Sequence, residues 1–305
     1  MSGQEYPGTF KEFQERFATE EACLAYIRQL RWPNGFVCPR CGSQKAWPRT
    51  RGLLECSGCG FQASVTAGTI FHGTRKPLKL WFDVMWWVVS QKTGASAMNL
   101  RSAMGFGSYE TAWTWLHKLR RGMIRPGRDK LQGTVEVDET TIGGDEPGTR
   151  GRERESRSLV AVAVEGKAPD IGRVRFECIF DASAENLIPF VEDYVERGAV
   201  VRTDGWAGYA SLRAHGYRHQ VIDAGRGPSK VMPNVHLVVS LLKRWLLGTH
   251  QGAVSAKHLP YYLDEFAFRF NRRLSTHRGK LFYRLMQQAV TVQGATYEDI
   301  VHGDF

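Results

Sequence analysis

Four of the six cysteines fall within FVCPRCGSQKAWPRTRGLLECSGCGFQ, residues 36–62. They form two Cys-x-x-Cys pairs, Cys38 with Cys41 and Cys56 with Cys59, with 14 residues between the pairs. Two short knuckles brought together by a hairpin supply four thiolates in the tetrahedral array that zinc takes. Gly42 and Gly60 each close a knuckle, and Pro39 and Gly58 sit inside the loops where turn residues belong. A site closed by four thiolates does no chemistry. Its metal instead stabilises a module too small to hold itself together.

The second group able to do chemistry is made of carboxylates. TVEVDETTIGG alternates as a strand, with Glu136, Asp138 and Thr140 on one face, and Asp204 ends the short apolar run VVRTD ahead of Gly205. A carboxylate in a half-buried strand is costly unless it is paired or binds a metal. Two such aspartates in one sheet offer hard oxygen ligands to Mg2+ or Mn2+, as phosphoryl transfer requires, with two ions about 3.5–4 Å apart acting on the attacking and the leaving oxygen. Spacing alone leaves the plainer reading open, in which each Asp is a hydrogen-bonded structural residue.

The elements that must position these groups follow from periodicity. Residues 8–30 carry helical stripes of Phe10, Phe13, Phe17, Cys23, Ile27 and Leu30, with a helix start at Thr19. Residues 78–125 read as three helices. The short middle one, a glycine turn and a basic third one resemble a helix-turn-helix, with Lys118, Arg120 and Arg121 as its DNA contacts. From residue 133 come three strands, then helix (capped by Ser183), strand, helix (206–216), strand, and two further helices. Consecutive strands imply antiparallel hairpins and the later alternation parallel additions. The expected fold is α+β and multidomain: an N-terminal helical segment (1–35), a zinc ribbon (36–75), a helix-turn-helix (76–130), and a ribonuclease-H-like mixed sheet with flanking helices (131–305). Residues 143–157 read as a mobile basic loop.

Charge divides the chain in the same way. Residues 1–130 hold 19 Lys and Arg against 9 Asp and Glu, whereas residues 131–305 hold 22 of each, so the whole net charge of +10 lies in the first part. That asymmetry points to a polyanion-binding module joined to a neutral one. No apolar run approaches the ~18 residues of a membrane span, and the polar N-terminus lacks a signal peptide's apolar stretch. A cytoplasmic protein with reduced thiols is expected, in which clustered cysteines bind metal.

VEVDETTIGG, VRTDGWAGY and LDEFAFRFNRR behind a zinc ribbon resemble bacterial insertion-sequence DDE transposases, and more narrowly the insertion sequence fifteen-ninety-five family. The likeness spans roughly residues 20–290. It implies a cut-and-join reaction on double-stranded DNA with Mg2+ or Mn2+, Asp138 and Asp204 as the first two catalytic carboxylates, and a homo-oligomer, since two element ends must be held. In that family a Glu precedes SLLKR by four residues, and a Lys follows that Glu by seven. Here the first position holds His236 and the second Lys243, with Arg244 as a further DNA contact. Residues 236, 240 and 243 share a helix face, while Val235, Val238, Val239 and Leu242 form the packing face. The resemblance implies His236 as the third ligand; the helix spacing by itself only keeps His236 and Lys243 together. Glu136, Glu139, Asp264 and Glu265 remain as substitutes. A domesticated DNA-binding repressor with a degraded site, and a nuclease or resolvase on the same fold, are the competing readings.

The cysteine spacing predicts one zinc per chain. Metal analysis of the native protein should find it, and Cys38→Ser should lose it; four freely titratable thiols and no zinc would contradict the assignment.

Overall fold

The computed structural model describes residues 6–125, 127–143, 157–167, 170–222, 232–252 and 254–302. They form two compact units, one of residues 1–125 with 275–305 and one of residues 126–274. The basic loop expected at 143–157 lies, between Gly143 and Arg157, outside the described residues.

In the first unit the periodic segment near the N-terminus forms two helices, α1 (Phe10–Arg16) and α2 (Glu20–Arg31), the second beginning at the expected start. The break comes at Thr19, whose hydroxyl accepts the Ala22 N–H at 3.2 Å and starts α2. The zinc ribbon follows as a three-stranded antiparallel sheet of β1 (Ala46–Pro48), β2 (Leu53–Cys56) and β3 (Gln62–Ser64). Three helices come next: α3 (Leu78–Ser90), α4 (Ala97–Met104) and α5 (Tyr109–Arg121). Pro77 cannot cap α3 with a side chain. Glu20 of α2 does so instead, accepting the N–H groups of Leu78 (2.8 Å) and Lys79 (3.0 Å). Gly105, at φ 65, ends α4 in the left-handed conformation, and Ser108 caps α5 by accepting the Thr111 N–H at 3.1 Å.

Residues 275–305, expected to continue the catalytic domain, pack in this first unit as α9 (Arg278–Ala289) and α10 (Tyr297–His302). The cause is aromatic. Phe282 of α9 sits 5.3 Å from Phe13, 5.6 Å from Phe17, 5.7 Å from Phe82 and 5.8 Å from Trp86, centroid to centroid. Rings at such spacings add to the burial of their area.

The second unit is a five-stranded sheet in the order β6-β5-β4-β7-β8. Its strands are β4 (Thr134–Ile142), β5 (Ser158–Lys167), β6 (Asp170–Ile179), β7 (Val200–Thr203) and β8 (Arg218–Val221). The β4–β5 and β5–β6 pairs are antiparallel, and the β4–β7 and β7–β8 pairs parallel, as the element order requires. Alternation along the strands builds two cores. On one face Val135, Val137, Ala161 and Ala163 pack with α6 (Ala184–Tyr194) and with Tyr209 and Leu212 of a 3₁₀ helix, Ala207–Arg213, within the helical segment expected at 206–216. On the other, Val160, Val162 and Val164 meet α7 (Pro233–His250) and α8 (Leu259–Phe270). Ser183 stands at the N-cap of α6, but its hydroxyl takes the Asn186 side-chain amide rather than a helix N–H.

The link that seats α7 on the sheet is Glu136, 3% exposed on the central strand. Met232 and Pro233 give α7 no side-chain cap. Glu136 Oε2 accepts the N–H groups of Asn234 and Val235, each at 2.9 Å, and Oε1 accepts the Asn234 amide at 3.0 Å. A carboxylate at a helix N-terminus satisfies orphan donors and meets the positive end of the helix dipole. Glu136→Ala leaves three donors without an acceptor and should destabilise the second unit by about 2–4 kcal/mol. Urea unfolding should show the loss, with faster exchange of the Asn234 and Val235 amides; unchanged stability would remove Glu136 from this role.

Candidate active site and zinc site

The two knuckles of the ribbon are built alike. Gly42 N–H donates to Cys38 O at 2.9 Å and Gly60 N–H to Cys56 O at 3.0 Å, with φ of 74 and 69 at the two glycines. The four sulfurs all lie within 4.8 Å of one another. Zn–S bonds of about 2.3 Å put sulfurs of a tetrahedron roughly 3.8 Å apart; Cys38 to Cys59 is 3.8 Å and Cys41 to Cys56 is 3.5 Å. The Gly58 N–H points at Cys56 Sγ at 3.3 Å, a donor suited to a thiolate. The donor set fits structural zinc.

The carboxylates meet through strand register. β4 and β7 pair in parallel at Thr134–Val200, Val135–Val201 and Glu136–Arg202. Continued by two residues, that register sets Asp204 beside Asp138. Glu136, having fixed the start of α7, places His236 over the same face, with Nδ1 3.9 Å from Asp138 Oδ2. His236 Nε2 is buried and has no hydrogen-bond partner. Burial raises the Asp138 pKa and the Asp204 charge adds to this, while the Glu139 N–H and His236 act against it. Two carboxylates and an imidazole nitrogen with no hydrogen-bond partner suit a divalent cation. Among the described residues, only the four cysteines bring three ligating atoms within 4.8 Å, so a cation at the aspartates would draw its ligands together.

The structure separates the remaining acids. Both oxygens of Glu136 are taken by α7. Glu265 is buried in an ion pair with Arg269 at 2.8 Å. Asp264, pushed up to about 7 by burial, acts on Cys178 of β6, two strands away from β4. Glu139 is left: it senses both Asp138 and Asp204, burial raises its pKa, and its Oε2 accepts the Tyr209 O–H at 2.8 Å. Tyr209 was not singled out by the sequence, although its place five residues after Asp204 was there to be read.

The basic residues fare unequally. Lys243 and Arg244 are exposed on α7. Lys118 and Arg121 are half-buried, and burial lowers the Lys118 pKa against the pull of Asp299. Arg120 is 1% exposed, so the expectation that it contacts DNA is corrected: in α5 it belongs to the packed side of an amphipathic helix.

Residues 130–271 match the family model of the ISXO2-like transposase domain, and residues 18–62 that of the transposase zinc-ribbon domain. Two domains of insertion-sequence transposases are thus matched in this chain, in line with the resemblance its motifs carry. An uncharacterized protein in transposable element ISH50 of Halobacterium salinarum is similar to it, 27% identical over 282 residues that cover 83% of this chain and 91% of that protein. Among the described residues no helix is long and apolar enough to cross a membrane.

A carboxylate whose pKa is raised on folding costs stability above its folded pKa, and the cost vanishes below its unfolded one. Asp138→Asn should therefore raise the thermal midpoint at neutral pH without added divalent cation, by roughly 2–4 °C per kcal/mol relieved. The gain should fade as pH falls through the folded pKa. A thermal melt series over pH checks both; a midpoint that drops at pH 7 would contradict the burial argument.

Proposed function

We propose that this transposase cleaves the ends of its DNA element and joins the freed 3′-hydroxyl to target DNA at a site made of Asp138, Asp204 and His236. The reading is supported by one observation: His236 Nδ1 lies 3.9 Å from Asp138 Oδ2, on the strand whose parallel pairing with β7 leads on to Asp204. A bound Mg2+ or Mn2+ would supply the positive charge that activates an attacking oxygen and neutralises the leaving one. The two aspartates bring negative charge to one point of a ribonuclease-H-like sheet. His236 adds a nitrogen donor where the family has a carboxylate, so the site carries one negative charge fewer and should favour Mn2+ at least as much as Mg2+. Lys243 and Arg244 stand exposed on the same helix to hold phosphates.

The basic first unit supplies DNA binding, through the zinc ribbon (36–75) and a helix-turn-helix (76–130) in which Lys118 and Arg121 are the contacts left once Arg120 is set aside. Two element ends call for a pair of chains.

Asp138→Asn and Asp204→Asn should each lower cleavage and joining about 100-fold or more, the scale of removing one charge-stabilising group, with binding to element-end DNA intact. His236→Ala should lose most joining, whereas His236→Glu should keep Mg2+-dependent activity. The assay follows a labelled element end with Mg2+ or Mn2+. Cleavage without joining would favour a nuclease, binding without cleavage a repressor, and full activity of either Asn variant would remove that aspartate from the site.

A further inference from the structure

Asp204 opens the segment Asp204-Gly205-Trp206-Ala207-Gly208-Tyr209, and the metal chemistry leaves its tryptophan unused. Trp206 is 51% exposed, yet it is held at three points. Its backbone N–H donates to Asp204 Oδ1 at 3.0 Å, and its indole N–H donates to Ala182 O at 2.6 Å. Beneath it lies Gly208, where a Cβ would stand 3.0 Å from Trp206 Cδ1, 2.6 Å from Ala182 O and 2.9 Å from Leu187 Cδ1. Only glycine admits this seating without a shift. Fixing a large ring costs rotamer entropy, and leaving its face in water forgoes burial. Neither cost serves the core of the second unit.

The place of the ring indicates its ligand. Two residues of chain span at most about 7 Å, so Trp206 stays close to the carboxylate assigned to the phosphate. The pairing of Thr141 with Leu159 and of Leu159 with Ile179 brings the end of β6 level with the end of β4. There Phe180, 93% exposed, precedes by two residues the carbonyl that anchors the indole. The polar edge of Trp206 is already satisfied, which leaves only its face to offer. A nucleobase presents a matching face once it leaves the duplex stack, and aromatic stacking holds any base regardless of sequence.

We infer that Trp206 is a stacking platform for one base, displaced from the duplex beside the phosphate that is cut. The inference rests on the proposed active site, and its test reads binding apart from chemistry. Full-length protein is mixed with element-end duplexes carrying 2-aminopurine at single positions around the cleavage point, in Ca2+ so that binding is seen without turnover. With wild type, one position should show the quenching of a base stacked on indole. Trp206→Ala should abolish that signal while overall binding persists, and Trp206→Phe should keep part of it.

In Mg2+ or Mn2+, Trp206→Ala should cleave roughly 10- to 100-fold more slowly than wild type. Removing the base at the reporting position should erase that difference between the two proteins. A Trp206→Ala defect that persists on the abasic duplex would mean a structural role and overturn the inference, as would equal cleavage by both proteins on intact DNA. If wild type cleaves nothing, the proposed function fails. The 2-aminopurine signal then still decides the platform: a Trp206-dependent signal supports it, and its absence rejects it.

Discussion

Glu136 is the constraint on which the second unit's geometry depends. A helix that opens with Met232 and Pro233 has no acceptor of its own for its first amides, and a buried carboxylate has no solvent to offset its charge. Each deficit is met by the other. Because side chains alternate along β4, the strand that delivers Glu136 to the helix start delivers Asp138 to the same face two residues on. His236 follows the captured Val235 amide by one residue, so it cannot avoid Asp138. The first unit uses the same device where Glu20 captures the start of α3. In both units a carboxylate distant in sequence does what a local Ser or Asp does at most helix starts.

What could be read from the sequence was what local spacing encodes. The cysteine pairs close through turns only a few residues long, and the alternation around Asp138 marks its strand and face without reference to anything else. The partition of acids was not legible. Glu136 and Asp138 look alike on one face, and only a helix 98 residues further along the chain tells them apart. The parallel pairing of β4 with β7, which leads Asp204 toward Asp138, runs across a crossover and leaves no periodic trace. Arg120 looked like a phosphate contact because basic residues gather in the last turn of a helix, but the pattern does not say which of them turns inward.

The segment after β7 is tied both to itself and to β4. Asp204 turns back to cap Trp206, while Tyr209 crosses to Glu139, the neighbour of Asp138. Burial drives the Tyr209 hydroxyl pKa far upward, so it stays a donor and holds Glu139 in place. Three carboxylates that sense one another in a half-buried setting strain the unit that carries them, and a cation-binding site is where such strain is expected.

The route of the chain has a consequence for its synthesis. The first unit is made of residues 1–125 and 275–305, with 126–274 inserted between them. Its ring cluster lacks Phe282 until ribosomal synthesis has passed through the whole insertion. A product cut short between α3 and α9 keeps all four knuckle cysteines but lacks the Phe282 ring that packs on Phe13, Phe17, Phe82 and Trp86. Such fragments would be recognised by chaperones and proteases rather than accumulate as partial DNA binders competing with the intact protein.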